Sequence, residues 1–317
     1  MTDSVLICGS MAFDTIALFE GRFKDHFLAD KLHAISVSFL VPTMRRDFGG
    51  CAGNIAYGMS LLGGRPIPVA TVGEDAGDYL DRLKGLGIDI SRLRVVKDSL
   101  TAICYITTDL DNNQITAFHP GAMAHSAEND LTGTDAKWAI VAPDAKDGMF
   151  AHATKLHAAG IPFIFDLGQA MPLFDAADLS RMLKLASALT VNDYEAEVVT
   201  SRLGKSMEEI ARGLKAVVVT RGAEGATLYE NGKQYPIAPV APGEIVDPTG
   251  CGDAHRAGLL FGLTSGWSWL DSCKLGNLMG ALKIATKGPQ GCTVARTEIA
   301  AQLQAAFALV LPGAAPR

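Results

Sequence analysis

Short apolar runs recur along the chain, with room for a helix between one and the next. Ser4–Cys8, Pro66–Thr71, Lys137–Ala142, Pro162–Asp166, Ala188–Asn192 and Ala216–Thr220 each have the length and composition of a buried strand. Segments of helical periodicity separate them, Ala52–Leu62 being the first. Strands alternating with helices predict βαβ units, hence an α/β fold with a mostly parallel sheet and helices on both faces.

Two regions break that rhythm. Residues 13–45 alternate around Phe13–Leu18 and Ala34–Val41 with no convincing helix between, which predicts a strand at each place. Residues 101–118, TAICYITTDLDNNQITAF, read as two strands joined by an Asp/Asn-rich turn. Together they predict a small antiparallel sheet standing off the main one as a lid, within a single domain spanning 1–317. A further hairpin is predicted at 227–237, where Asn231-Gly232 is the turn signal, at the edge of the main sheet.

Composition narrows the class. The 317 residues are 48% hydrophobic and 20% charged, which excludes a disordered or fibrous chain. A formal charge of −6 without long runs of like charge argues against a nucleic-acid polymer as partner. No stretch is apolar enough for a membrane span, and MTDSVLICGS lacks the basic and apolar segments of a secretory leader. The cysteines (Cys8, Cys51, Cys104, Cys251, Cys273 and Cys292) show no metal-ligand spacing and read as reduced thiols of a cytoplasmic protein. Of 33 glycines, ten fall in 49–87 and ten in 243–291, two places where backbone must turn tightly or approach something closely.

The later cluster holds DPTGCGDAHRAG at 247–258. Gly250 and Gly252 allow a backbone path that aims successive N–H groups at one point, and Ala254, Ala257, Leu260 and Phe261 begin a helix. Such a helix start suits an anion such as phosphate, and Asp253 then stands where a carboxylate takes a proton from an attacking hydroxyl. Helix capping by Asp253 accounts for the local pattern equally well. The earlier cluster holds FGGCAGNIAYGMSLLGG at 48–64, with Gly49-Gly50 before a helix and Asn54 on its first turns. A tight strand-to-helix turn is the plainer account of it, and Gly63-Gly64 reads as the helix stop. Asp14 lies just past the carboxyl end of the first strand, the side on which open α/β sheets bind ligands. G-x-G-x-x-G and G-x-x-x-x-G-K-[ST] are both absent, which removes the dinucleotide fingerprint and the P-loop.

The two motifs, in this order, resemble those of the ribokinase (PfkB) family of carbohydrate and nucleoside kinases, and the resemblance covers nearly the whole chain. Asp247, Thr249, Gly250, Gly252 and Asp253 match its D-x-T-G-x-G-D signature, with Cys251 where a small Ala is commoner. Asn192-Asp193-Tyr194-Glu195 is similar to its N-x-x-E motif, and Thr220-Arg221-Gly222-Ala223-Glu224-Gly225 to its T-x-G-x-x-G phosphate loop. The resemblance implies a ribokinase-like central sheet flanked by helices, a small β-sheet lid, and transfer of the γ-phosphoryl group of ATP to a hydroxymethyl. It implies Asp253 as the base, and the N–H groups of Gly250, Cys251 and Gly252 as the anion hole. Asn192 and Glu195 would organise Mg2+ through water, while Thr220, Gly222 and Gly225 would line the ATP phosphates with Arg221 adding charge. Asn277 would contact the ATP base, a satisfied helix-surface Asn being the alternative. Asp247 with the loop 286–292, TKGPQGC, resembles the family's site for a monovalent cation such as K+, whose ligands are mostly backbone carbonyls. On the acceptor side, Asp14 matches the residue that grips vicinal sugar hydroxyls, with Gly49, Gly50 and Asn54 completing the grip.

The nature of the acceptor rests on the lid. A nucleoside kinase must seat a base, which needs apolar and aromatic surface. Phe13, Phe39, Val41, Pro42, Met44, Phe118, His119, Pro120 and Met123 lie in or beside the lid segments, and Phe118 is expected at the substrate. GSMAFDTI, NNQITAFHPGAM and DPTGCGDAHRAG together look most like bacterial and archaeal adenosine or nucleoside kinases of the family. The expected reaction is phosphorylation of the 5′-hydroxyl of a ribonucleoside such as adenosine, a purine-salvage step, by a monomer or homodimer. The alternatives are a ribose- or fructose-like sugar, with the apolar residues gluing the lid to the body or to another subunit, and a non-catalytic nucleotide- or sugar-binding regulator. Arg256 is expected on a solvated face, with a phosphate contact as the alternative.

Overall fold

Side chains alternate between two apolar layers along the strands of the main sheet. On β1 (Ser4–Cys8), Val5 and Ile7 enter one helical layer and Leu6 and Cys8 the other, all fully buried. On β11 (Ala216–Thr220), Val218 goes to the first side, Val217 and Val219 to the second. Burial on both faces is why these segments read as unbroken apolar runs. The computed structural model describes residues 3–27, 36–111 and 113–313.

From one edge, the nine-stranded sheet runs β13 (Lys233–Ile237), β12 (Ala226–Glu230), β11, β10 (Ala188–Asn192), β9 (Phe163–Asp166), β8 (Trp138–Val141), β1, β4 (Arg65–Val72) and β5 (Leu93–Val95). Its pairings are parallel except β11–β12 and β12–β13. The expected hairpin is thus the antiparallel edge, and Asn231 and Gly232 both take positive φ, 51° and 71°, as a type I′ turn needs. One layer holds α1 (Cys51–Leu61), α2 (Gly77–Gly85), α7 (Cys251–Thr264), α8 (Trp269–Ile284) and α9 (Arg296–Phe307). The other holds α3 (Lys146–Ala158), α4 (Ala176–Leu185), α5 (Asp193–Leu203) and α6 (Met207–Ala211). Helices α7 and α8 touch through glycine: a Cβ on Gly258 would come 2.8 Å from the Gly276 nitrogen. Part of the later glycine cluster therefore serves helix packing.

A second sheet has the order β3 (Thr43–Gly49), β2 (Ala12–Leu18), β6 (Ala102–Thr108) and β7 (Gln114–His119). It departs from the sequence expectation in two ways. The strand expected at Ala34–Val41 is instead Thr43–Gly49; residues 36–41 form none, and 28–35 lie outside the described residues. TMRRDFG carries Arg45, Arg46 and Asp47, so no apolar alternation marks it; antiparallel pairing with β2 defines it. The sheet is also mixed, because β2 pairs with β6 in parallel. The chain passes through β4 and β5 of the main sheet between those strands, a crossover that permits parallel pairing.

A Cβ on Gly73 would strike the backbone of Ser99–Thr101, whereas one on Gly77, at the start of α2, would meet nothing within 4 Å. Gly73→Ala is expected to lower the unfolding free energy by about 1–3 kcal/mol. Gly77→Ala is expected to leave it unchanged or raise it by up to about 1 kcal/mol, both read from urea-unfolding midpoints.

Candidate active site

Strands β9, β10 and β11 run parallel and end on the same side, where a cleft of about 560 Å3 opens. Asp166 ends β9, Asn192 ends β10 and Thr220 ends β11, and together with Glu195, Gly222 and Gly225 they line it. Val240, Ile245, Ala281 and Ile284 give it an apolar section beside Asn277. Gly250, Cys251, Gly252 and Asp253 line it at the start of α7.

That helix start depends on glycine. Gly250 holds φ 80°, and a Cβ there would lie 2.9 Å from Pro289. The first-turn N–H groups have no partner inside the helix and carry its positive dipole end, a ready seat for an anion. Of the three expected donors, the Cys251 N–H already donates to the Pro248 carbonyl at 3.2 Å, while Gly252 is exposed to the cleft.

The Asp253 carboxylate accepts from Asn54 Nδ2 at 2.9 Å. Burial pushes it up to about 6, and the Asn54 bond and the Arg256 charge resist that rise. Asn54 Oδ1 accepts from Gln290 Nε2 at 3.1 Å, and Gln290 Nε2 also donates to the Tyr79 hydroxyl at 2.7 Å. Tyr79 in turn donates to the Gly49 carbonyl at 2.8 Å. A continuous chain of bonds thus joins Asp253 to the end of β3.

Asp14 sits on β2, in register with Asp47 of β3 and Cys104 of β6. Its carboxyl is pushed up to about 6, by burial first and then by the Asp47 charge, with Arg45 opposing. A Cβ on Gly49 would strike that carboxylate, and one on Gly50, at φ 83°, would come 2.6 Å from the Ser10 carbonyl. Only glycine lets this turn close over Asp14. Register continues the row from Cys104 to Phe118, so Asp14 and Phe118 share one face of the small sheet, with Ile16 and Ile106 in the next row. Phe118 is 51% exposed there. Phe13 belongs to the opposite face, buried against Phe48 and Tyr79, and Phe39 packs on Phe19 and Phe23. Met44 points from Phe13's face and is 70% exposed.

The model of the pfkB family carbohydrate kinases matches residues 6–296. The chain belongs to the PfkB family. The solved structure of Burkholderia thailandensis nucleoside kinase in complex with inosine is similar at 50% identity and TM-score 0.88, covering 96% of this chain and 99% of that one. The same enzyme in complex with ADP-inosine gives 51% identity and TM-score 0.86, covering 99% of each chain. A nucleoside kinase of Methanocaldococcus jannaschii is 30% identical over 267 residues, covering 83% of this chain and 88% of the relative.

Other residues matched to PfkB motifs are engaged within the protein. Asn192 and Glu195 form a capping box at the start of α5: Asn192 Oδ1 accepts from the Glu195 N–H at 2.7 Å, and the Asn192 N–H and Nδ2 donate to Glu195 at 2.9 and 3.0 Å. Among the described residues no group of three or more His, Cys, Asp or Glu could hold a metal ion. Mg2+ fits this donor set only as an ion held by phosphate oxygens and water, with Glu195 as its neighbour in the protein. Asn277 Nδ2 donates to the Ala238 carbonyl at 2.9 Å, fixing the chain just past β13. Arg221 does not line the cleft; its Nε donates to Thr227 Oγ1 at 3.0 Å. Arg256 is not on a solvated face: it lines the cleft while forming a buried two-point pair with Asp166, both distances 2.9 Å. Its Nη1 also donates to the Gly252 carbonyl at 3.1 Å, so the pair braces the glycine turn at the start of α7.

At the expected monovalent-cation site, Asp247 binds the N–H groups of Thr249 and Gly288, each at 2.9 Å, and meets Arg45 at 3.6 Å. The space among the carbonyls is taken by Lys283, 1% exposed, whose Nζ donates to the Asp247 carbonyl at 2.8 Å and the Thr286 carbonyl at 3.1 Å. These residues do not fit an added K+. Sequence reasoning gave no role to Lys283, Gln290, Tyr79 or Asp166, although Asp166 carried a signal as the last residue of a predicted strand on the ligand-binding side, and Gln290 lies in the loop 286–292 expected to hold a cation.

Removing one partner of a buried ion pair leaves the other uncompensated. Asp166→Ala is expected to lower stability by about 3–5 kcal/mol, and the double replacement Asp166→Leu with Arg256→Met to recover most of that loss in urea unfolding without nucleotide.

Proposed function

We infer that this chain is an ATP-dependent ribonucleoside kinase that phosphorylates the 5′-hydroxyl of its acceptor. The observation that carries the reading is the row of the small sheet on which Asp14 and the exposed Phe118 share a face, beside Ile16 and Ile106. A carboxylate that can grip two vicinal hydroxyls, next to apolar surface that can seat a base, is what a ribonucleoside requires and a free sugar does not. The face of the sheet that bears Asp14 is then a lid over the acceptor, with the turn at Gly49 and Gly50 and the Asn54 amide around the ribose.

Asp253 receives the hydroxyl proton as the 5′-oxygen forms its bond to Pγ and the bond from Pγ to the leaving ADP oxygen breaks. Phosphoryl transfer depends on alignment and charge stabilisation. The first turn of α7 meets the charge developing on the phosphoryl oxygens, with Gly250 setting the path and Gly252 facing the cleft. Thr220, Gly222 and Gly225 line the ATP phosphates, and Val240, Ile245 and Ile284 receive the adenine next to Asn277. Mg2+ beside Glu195 would neutralise phosphate charge. An acceptor lacking the 2′-hydroxyl leaves the buried Asp14 lone pair unmatched and is bound less well. We place the enzyme in the cytoplasm: its six cysteines are unpaired, and burial pushes every thiol up, away from reactivity.

The test is ADP release with Mg-ATP and a panel of inosine, adenosine, cytidine, 2′-deoxyinosine, ribose and fructose. Turnover is expected with ribonucleosides, weaker with the 2′-deoxy analogue. Turnover with no member would end the kinase reading, and turnover with free sugars alone would end the nucleoside reading. Asp253→Asn is expected to lower kcat by about 10²–10⁴-fold while ATP still binds by titration calorimetry; near-normal kcat would move the base elsewhere.

A further inference from the structure

We propose that Lys283 is this enzyme's built-in monovalent cation: its ammonium group fixes the carbonyls behind the anion-binding turn, so the enzyme needs no K+. The inference rests on the kinase reading for its catalytic consequence, and on geometry alone for the seat itself. Lys283 lies near the end of α8 with its side chain fully inside the protein, yet its polar partners there are two backbone carbonyls, those of Asp247 and Thr286. Burying a charge is unfavourable unless strong acceptors surround it, and converging carbonyl dipoles are equally unfavourable without a cation. Each satisfies the other.

The seat is joined to the turn that receives phosphate. The N–H groups of Val246 and Asp247 donate to the Ile284 carbonyl at 2.9 and 3.1 Å, and the Asp247 carboxylate takes the Gly288 N–H. Only Pro248 and Thr249 separate Asp247 from Gly250, whose path is packed against Pro289. The ammonium therefore ties together, at one carbonyl each, the two segments that set the start of α7. A potassium ion and an ammonium group have the same charge and similar size, so the side chain can do what a bound ion would do. It is a positioning residue, because it acts on the backbone and touches no reacting atom.

The experiment measures inosine phosphorylation and thermal unfolding of the full chain, with KCl or tetramethylammonium chloride at about 0.1 M to hold screening constant. The native enzyme is expected to change in kcat by less than about twofold between the salts, against the order of 10²–10³-fold that loss of preorganised donors produces elsewhere. Lys283→Ala vacates the seat; it is expected to lose about 10²-fold in kcat, to recover at least tenfold of it in K+ or NH4+, and to gain in Tm with K+ as a bound ligand requires. A native enzyme that depends on K+ overturns the proposal. So does a Lys283→Ala protein with undiminished turnover, or a folded one that K+ neither reactivates nor stabilises. Should that variant fail to fold, the K+ response of the native enzyme decides alone. If no nucleoside is turned over, the kinase reading fails, and the K+-dependent Tm of Lys283→Ala still judges the seat.

Discussion

Asp253 holds its carboxylate where burial disfavours the charged form, and a neutral donor, Asn54 Nδ2, meets it at 2.9 Å. The balance between those two effects governs the arrangement around it. Too little stabilisation would leave the group protonated at neutral pH, unable to accept a proton. A closely paired cation would make it a weak base. The structure answers with a neutral amide in contact and with a cation, Arg256, that is already satisfied by Asp166. The carboxyl then sits near 6, close to where a base works at physiological pH.

The same constraint explains the network behind Asn54. An amide can hold a carboxylate in one orientation only if its own oxygen is held, and Gln290 does that while also binding Tyr79. Arg82 Nε fixes Gln290 in turn, at 3.2 Å from Oε1. Buried polar chains of this kind are strong when every member is satisfied. Tyr79 carries the chain to Gly49, where the small sheet joins α1. Arg45 on the same strand reaches Asp47 at 2.8 Å and Asp247 at 3.6 Å, tying the small sheet to the loop that leads into α7.

What the sequence made legible was local. A strand buried on both faces reads as an apolar run, and Gly250, Gly252 and Asp253 read as a tight turn into a helix, because both patterns lie within a few neighbouring residues. Strand β3 escaped because an ion pair occupies one of its faces. The buried partners escaped because nothing local marks them: Arg256 looks like any solvated helix arginine until Asp166, 90 positions away, is placed beside it. Lys283 looks like a surface lysine until two carbonyls close over it. Glycine counting was half informative: Gly49, Gly50 and Gly250 answer to the site, whereas Gly258 and Gly276 answer to helix packing.

The central claim is that a buried carboxylate, tuned by Asn54, accepts the hydroxyl proton. The pH dependence of kcat/KM for inosine tests it, compared between the native enzyme and Asn54→Ala. Asp253 must be ionised to act, so activity should fall as pH drops through about 6, to which burial raises its carboxyl. Asp14 titrates in the same range, so the variant singles out Asp253. Loss of the Asn54 bond removes an interaction that favours the charged form, and the acid limb should move to higher pH. An acid limb near the ordinary carboxylate value of about 4, or one that Asn54→Ala leaves in place, would contradict the account.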